Sequence, residues 1–193
     1  MALLTLVKFR WIGNSRLPRC GLTATSGCYS GMPRFDKAIF KSKRVKRDYD
    51  MRASDVLIEN IKQFEGYRAK AYKCAAGRWT CGYGHTKGVT ARTVCDKAKA
   101  EEWLRADLAP IEAFLSAVSE VCKSQGRFDA CADFCFNLGT GAFRGSTLFK
   151  LIQKKASVAA IQAEFLKWVY AGGRPLEGLK TRRRWEAGRF AEF

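Results

Sequence analysis

The chain has 193 residues, 47% of them hydrophobic, 27% charged and 12% aromatic, which supports one globular domain with a proper core and excludes a wholly disordered chain. No apolar run approaches the roughly 18 residues of a membrane-spanning helix, and Ala2 to Val7 is too short for a signal-peptide core and has no basic residue ahead of it. With 35 Lys+Arg against 18 Asp+Glu, the net charge of +17 draws the chain to polyanions, of which nucleic acid, anionic lipid and the bacterial envelope all qualify.

Residues 1–50 hold 11 Lys+Arg and 3 Asp+Glu, show no sustained periodicity and end on the basic run Lys41 to Arg47. They read as a flexible basic leader. An electrostatic tether to an anionic surface, or a native start at Met51, are the alternatives. Ordered patterning begins just after Met51, so the folded domain is expected over 51–193. Ser54 or Asp55 caps a helix whose Leu57, Ile58, Ile61 and Phe64 share one face, with Gly66 as its stop. Ala71 to Lys73 and Trp79 to Tyr83 read as two short strands about an Ala75-Ala76-Gly77 turn. After Thr90 the pattern is helical. Thr93 is expected to cap a helix carrying Ala100, Trp103, Leu104 and Leu108, and Pro110 to open its successor with Ile111, Phe114 and Leu115. Phe128, Cys131, Cys135 and Leu138 form another stripe, closed by Gly139. Ser146 caps 147–153, Ser157 caps a helix with Ile161 and Phe165, and a last helix is expected around 182–190. The pattern gives an α+β fold with a small β region and a mainly helical second lobe.

The 8 cysteines, Cys20, Cys28, Cys74, Cys81, Cys95, Cys122, Cys131 and Cys135, include no Cys-x-x-Cys pair, and most read as small buried hydrophobes. With His85 as the single histidine, no zinc site is expected, and no metal or other cofactor. Trp79, Trp103 and Trp168 fit apolar stripes and read as core rather than sugar platforms.

The segment most informative for chemistry is Gln63 to Tyr72 followed by Gly77 to Thr86. It places Glu65 at a helix end against an aromatic, glycine-rich hairpin. A carboxyl group partly desolvated in such a groove edge is suited to act as a general acid. The same pattern also describes a solvated Glu beside a common kind of hairpin.

These residues carry a specific resemblance. The string Phe-Glu-Gly-x-Arg-x-x-Ala-Tyr at 64–72, then Thr-x-Gly-Tyr-Gly-His-Thr at 80–86, resembles the active-site signature of phage-type lysozymes. The likeness continues through 133–139, 142–148, 165–168, 171–173 and Gly178-Leu179-x-x-Arg182-Arg183-Arg184-x-Glu186. It covers residues 54 to 190 in order and leaves 1–50 unexplained. The resemblance implies a two-lobed lysozyme fold, a small β lobe beside a larger helical lobe, with the substrate cleft between them. It also implies hydrolysis of the β-1,4 bond between N-acetylmuramic acid and N-acetylglucosamine in peptidoglycan, with no cofactor. Glu65 matches the family's general acid and Thr80 the threonine that places the attacking water.

Cys74 occupies the position, nine residues after the Glu and six before the Thr, where the family usually has Asp. Glycosidases of this kind use two carboxylates, whereas a thiol titrates near ~8.5 unless cations lower it. Lys70, Lys73 and Arg78 are close enough in sequence to do so. Cys74 is therefore read as a thiolate base or nucleophile, as a bystander to another water-activating group, or as the mark of a site that binds glycan without cutting it; participation in an active enzyme is the reading adopted. The resemblance makes His85 structural, and a buried ion pair with Asp107 is expected for it. It leaves Asn137 as a sugar-binding or helix-end residue, and it lets one of Arg182, Arg183 and Arg184 reach Glu65, favouring its ionised form against desolvation. The expected partner is bacterial peptidoglycan, contacted by a monomer helped by electrostatic attraction to the envelope. The lack of a signal predicts accumulation in the cytoplasm and release to the wall by a separate pore-forming protein. A basic wall-binding or membrane-disrupting protein on the same fold is the alternative from another class. A lytic transglycosylase is the alternative within enzymes. Specific nucleic-acid binding is not expected, because no recognised motif accompanies the charge.

Overall fold

The computed structural model describes residues 51–74 and 77–192. The basic leader, Cys20, Cys28 and the first two positions of the Ala75-Ala76-Gly77 turn lie outside the described residues. Helix α1 (Asp55–Glu65) starts at Ser54, whose hydroxyl accepts from the Leu57 amide, and stops at Gly66, which turns the chain at φ +69°. Strands β1 (Arg68–Lys73) and β2 (Trp79–Gly82) form an antiparallel pair with Tyr72 opposite Thr80 and Lys73 opposite Trp79, and the register slips between Arg68 and Tyr72. The hairpin turn is held by the Gly77 amide donating to the Cys74 carbonyl at 2.8 Å, with Gly77 at φ +73°.

Helix α2 (Lys97–Leu115) departs from the sequence expectation twice. Its cap is Asp96, which accepts from the Lys99 amide. Thr93 instead accepts from the Thr90 amide within a turn of its own. Pro110 does not open a new helix but lies inside α2. A proline there costs about 3 kcal/mol, and the continuous buried face of Leu104, Leu108, Ile111 and Leu115 outweighs it.

Helix α3 (Gln125–Leu138) is the centre of the second lobe, and from Phe128 to Asn137 every residue is buried. It ends at Gly139, φ +92°, as the sequence suggested. Short α4 (Thr140–Gly145) was not anticipated. Helices α5 (Thr147–Gln153) and α6 (Val158–Phe165) carry the expected Ser146 and Ser157 caps. A small hairpin, β3 (Tyr170–Ala171) with β4 (Arg174–Pro175), leads into α7 (Glu177–Ala191), which packs on α3 and α6 and starts earlier than expected. Phe128, Phe134, Phe143, Phe165 and Phe190 fill the core, each worth about 1.5–3 kcal/mol when fully buried. Trp103 and Trp168 pack against that core as expected. Trp79 does not; it is half-buried on the hairpin with the Lys73 ammonium 5.4 Å from its ring centre. No helix among the described residues is long and apolar enough to cross a membrane.

Five of the six described cysteines are buried, and none of the six forms a disulfide. Burial holds the Cys131 and Cys135 thiols well above the ordinary range. Cys81 and Cys95 face each other at 3.2 Å, and burial, followed by the Cys81 contact, pushes the Cys95 thiol up to about 11.

Candidate active site

Glu65 is the last residue of α1, and the break at Gly66 brings the chain almost at once into β1. The Glu65 side chain is only 5% exposed. One oxygen accepts from Arg182 Nη1 at 2.9 Å. The remaining donors of Arg182 grip Asp133 side-on, Nε to Oδ2 and Nη2 to Oδ1, both at 2.8 Å. Both Arg182 and Asp133 are fully buried. Of the three consecutive arginines expected near Glu65, Arg182 is the one that reaches it.

Behind this pair the charges continue. Arg183 donates through Nη2 to Asn137 Oδ1 at 2.8 Å and lies 2.8 Å from Glu186 Oε1, again fully buried. The Arg183–Glu186 contact lacks hydrogen-bond alignment, and the Glu186 and Asp133 carboxyls lie close enough to share a proton. Three carboxyl groups, Glu65, Asp133 and Glu186, thus share two guanidinium groups. Burial opposes the ionisation of Asp133, but Arg182 outweighs it and holds that acid below its usual range. Burial pushes Glu186 well above the carboxylate range, with Arg183 opposing and Asp133 reinforcing. Burial thus favours the neutral form of Glu186 within this set.

The hairpin carries the other residues expected at the site. Tyr72 is half-buried, and its phenol is pushed up by burial, opposed by Arg68 and reinforced by Glu65 and Cys74. Both of those groups therefore lie within electrostatic reach of the Tyr72 ring. Cys74 is half-buried and forms no disulfide. Thr80 is buried, and its hydroxyl donates to the Arg78 carbonyl at 3.2 Å. The same carbonyl accepts from the Cys74 amide at 2.9 Å. One backbone oxygen thus ties both hairpin positions together. Asn137, by contrast, belongs to the Arg183 side of the cluster.

His85 is buried, with Nδ1 2.9 Å from Asp107 and Nε2 2.8 Å from the Lys87 carbonyl, and it stacks on Trp103 at 4.9 Å. The expected Asp107 contact is present, and both ring nitrogens are engaged in holding the loop to α2. An open depression of about 440 Å³ lined by Glu59, Lys62, Tyr67, Tyr83 and Glu101 contains none of Glu65, Cys74 and Thr80. Its Lys62 is bound on both sides by Glu59 and Glu101.

Sequence reasoning singled out neither Asp133 nor Glu186 as part of the site. Their signal was an acid inside a wholly apolar stripe of α3 and another on the same helix as the arginines, but partners come only from tertiary contact.

The sequence profile of the Phage lysozyme family matches residues 62–186, the stretch holding these residues. The chain belongs to that family. It is 42% identical over 134 residues to an endolysin of Acyrthosiphon pisum secondary endosymbiont phage 1, covering 67% of this chain and 91% of the relative. Among solved structures, a P22 lysozyme mutant superposes with a TM-score of 0.65 at 34% identity, covering 74% of this chain and 99% of the other. The muramidase domain of SpmX from Asticaccaulis excentricus gives a TM-score of 0.65 at 32% identity over 73% of this chain and 98% of that one. This phage-type lysozyme has the α+β lysozyme fold expected from its sequence, and it is a peptidoglycan-degrading enzyme of the bacterial cell wall.

Proposed function

We propose that this lysozyme hydrolyses the β-1,4 bond between N-acetylmuramic acid and N-acetylglucosamine, with Glu65 as general acid, Cys74 in the place of the usual aspartate and Thr80 positioning water. The observation that carries this reading is the Glu65 carboxyl, 5% exposed and oriented by Arg182, with its charge and that of Cys74 both acting on Tyr72 of the hairpin. Glu65 gives its proton to the glycosidic oxygen as the C–O bond breaks. Water adds to the anomeric carbon, either directly with its proton passing to the Cys74 thiolate, or after that thiolate has formed and then released a glycosyl adduct. In the adduct route Glu65 regains its proton from the incoming water; in the direct route the Cys74 thiol returns that proton to Glu65 through solvent, so both routes reset with water as the only reagent consumed.

Thr80 supports this role because its hydrogen goes to the Arg78 carbonyl, which leaves its oxygen to accept from a water. Asn137 supports sugar binding. Arg183 holds its oxygen, so the amide nitrogen is the end available to donate to an N-acetyl carbonyl. No cofactor enters the scheme, and the enzyme is proposed to act as a monomer on peptidoglycan.

The test is turbidity loss of cell walls with product mass spectrometry. Glu65→Gln is expected to abolish lysis, and Cys74→Asp to retain or increase it. Full lysis by Glu65→Gln would refute the general-acid role. Anhydro ends on the muramic sugar, in place of reducing ends, would replace hydrolysis by transglycosylation.

A further inference from the structure

Residues 66–95, which build the hairpin and the loop after it, contain six basic residues and not one Asp or Glu. The chain from residue 51 onward has 24 Lys+Arg against 15 Asp+Glu, so most of its excess charge sits in these thirty residues. All six, Arg68, Lys70, Lys73, Arg78, Lys87 and Arg92, are exposed. None of Lys70, Lys73, Arg78, Lys87 and Arg92 forms an ion pair with a described carboxylate. The flanking helices behave differently. Lys62 is taken up by Glu59 and Glu101, Lys99 by Glu102, and Arg105 by Glu101 and Asp55.

Two of the lobe's bases are also steadied on aromatic rings, Arg68 4.4 Å from the Tyr72 ring centre and Lys73 5.4 Å from that of Trp79. Held in this way, they lose less side-chain freedom on meeting an anion. A solvated basic face would be interspersed with acids; this one is of a single sign, and its field adds up over the surface.

We propose that this acid-free lobe is a docking surface for the carboxylate-bearing peptides that branch from the same glycan strand the cleft cuts. The inference rests on the proposed glycan hydrolysis and extends it to the substrate's peptide part. Carboxylate is favoured over a separate anionic polymer by position. Tyr72, Cys74 and Thr80 lie on the strands and turn that carry Arg68, Lys70, Lys73 and Arg78, so a glycan in the cleft brings its own side peptides alongside these bases. The peptides recur with each muramic sugar, so each register of the strand presents new anions. The attraction acts over about a Debye length, ~8 Å at physiological salt, so it recruits and orients substrate and takes no part in bond breaking.

Lys87 and Arg92 lie away from Cys74 in sequence, are exposed, and have no place in the proposed chemistry, so their charge is the variable to reverse. The test measures kcat and KM for wild type and Lys87→Glu/Arg92→Glu on four substrates: native peptidoglycan, the same material with its carboxylates amidated, peptide-free glycan strands, and walls stripped of phosphodiester polymers. On native peptidoglycan and on stripped walls the variant's KM is expected to rise about five- to tenfold with kcat unchanged. On amidated and peptide-free substrates the two proteins should agree. The salt dependence of the wild-type KM should flatten in the variant. An unchanged KM on native peptidoglycan overturns the proposal. So does an equal rise on all four substrates, or a defect that vanishes on stripped walls, which would assign the lobe to phosphate polymers instead. Failure of the hydrolytic reading is separable. Sedimentation of Glu65→Gln with and without the two charge reversals, on native and amidated walls, reads docking without turnover and should show the same pattern.

Discussion

Arg182 is the residue on which the most separate demands converge. Its guanidinium satisfies Asp133 with two hydrogen bonds and Glu65 with a third, and it lies 5.2 Å from the centre of the Phe64 ring. Removing one member of a buried ion pair leaves its partner charged and dry, which typically costs about 3–5 kcal/mol, a large share of the roughly 5–15 kcal/mol by which a domain is stable. Arg182→Met is expected to lose about that much in urea unfolding, and a loss below about 1 kcal/mol would show that the cluster is solvated. Glu186 behaves in the opposite sense. An acid whose folded pKa is raised stabilises the fold fully below its unfolded value of about 4.3, and that contribution is lost as pH rises through the folded value. Asp133, whose folded pKa is lowered, contributes above about 3.9 and loses that contribution as pH falls. Glu186→Gln copies the neutral form and leaves Asp133 in place. Its Tm advantage over wild type should therefore widen from pH 4 to pH 8, and parallel Tm curves would show that Glu186 is ionised in the native protein. Of this cluster the sequence disclosed Glu65 and the three arginines. It did not disclose which arginine pairs with which acid, because Asp133 and Glu186 become partners only when α3 and α7 pack together.

Secondary-structure boundaries follow local chemistry where side chains cap, and tertiary packing where they do not. Ser54, Ser146 and Ser157 were readable because a hydroxyl ahead of an apolar stripe satisfies an amide that the helix leaves open. The start of α2 was misplaced because Thr93 and Asp96 are both competent caps, and the Thr90–Thr93 turn engages the first. Pro110 was misread because the buried face of α2 overrides a local preference. Ser54 does more than cap. Its hydroxyl accepts from the Leu57 amide and donates to Asp129, a fully buried carboxylate on α3. Ser54→Ala is expected to cost about 1–2 kcal/mol by urea unfolding, and an effect under half of that would reduce the residue to an ordinary surface cap. Gly82 marks a second junction. It sits at φ +64°, and a Cβ there would lie 2.9 Å from the Ala100 Cβ and 3.6 Å from the Cys95 sulfur. Gly82→Ala combines an unfavourable backbone with a clash against α2, so a loss of about 1–3 kcal/mol is expected. Wild-type stability would show that the hairpin moves away from α2 at little cost.

Over the whole molecule, the two lobes are tied by charges that also hold the start of the domain. The Ala53 amide and Arg52 both donate to Glu112 of α2, at 2.8 and 3.1 Å, and Gln125 of α3 donates to the Arg52 carbonyl at 2.9 Å. With Ser54 bound to Asp129, residues 52–54 are fastened to two helices of the second lobe immediately before α1 begins. The chain thus has an anchored start at the point where the sequence pattern changes, and the match to the phage lysozymes begins only at residue 62. A protein beginning at Met51 keeps these contacts and is expected to fold by itself. It also loses 11 Lys+Arg and 3 Asp+Glu, so its attraction to an anionic wall should weaken and depend less on salt. The expected outcome is a single cooperative thermal transition close to that of the full chain, with wall hydrolysis retained at low salt and reduced wall sedimentation. A truncated chain that fails to unfold cooperatively would make residues 1–50 part of the folding unit. Unchanged sedimentation across a salt series would confine wall attraction to residues 51–193, where the acid-free hairpin lobe holds most of the excess positive charge.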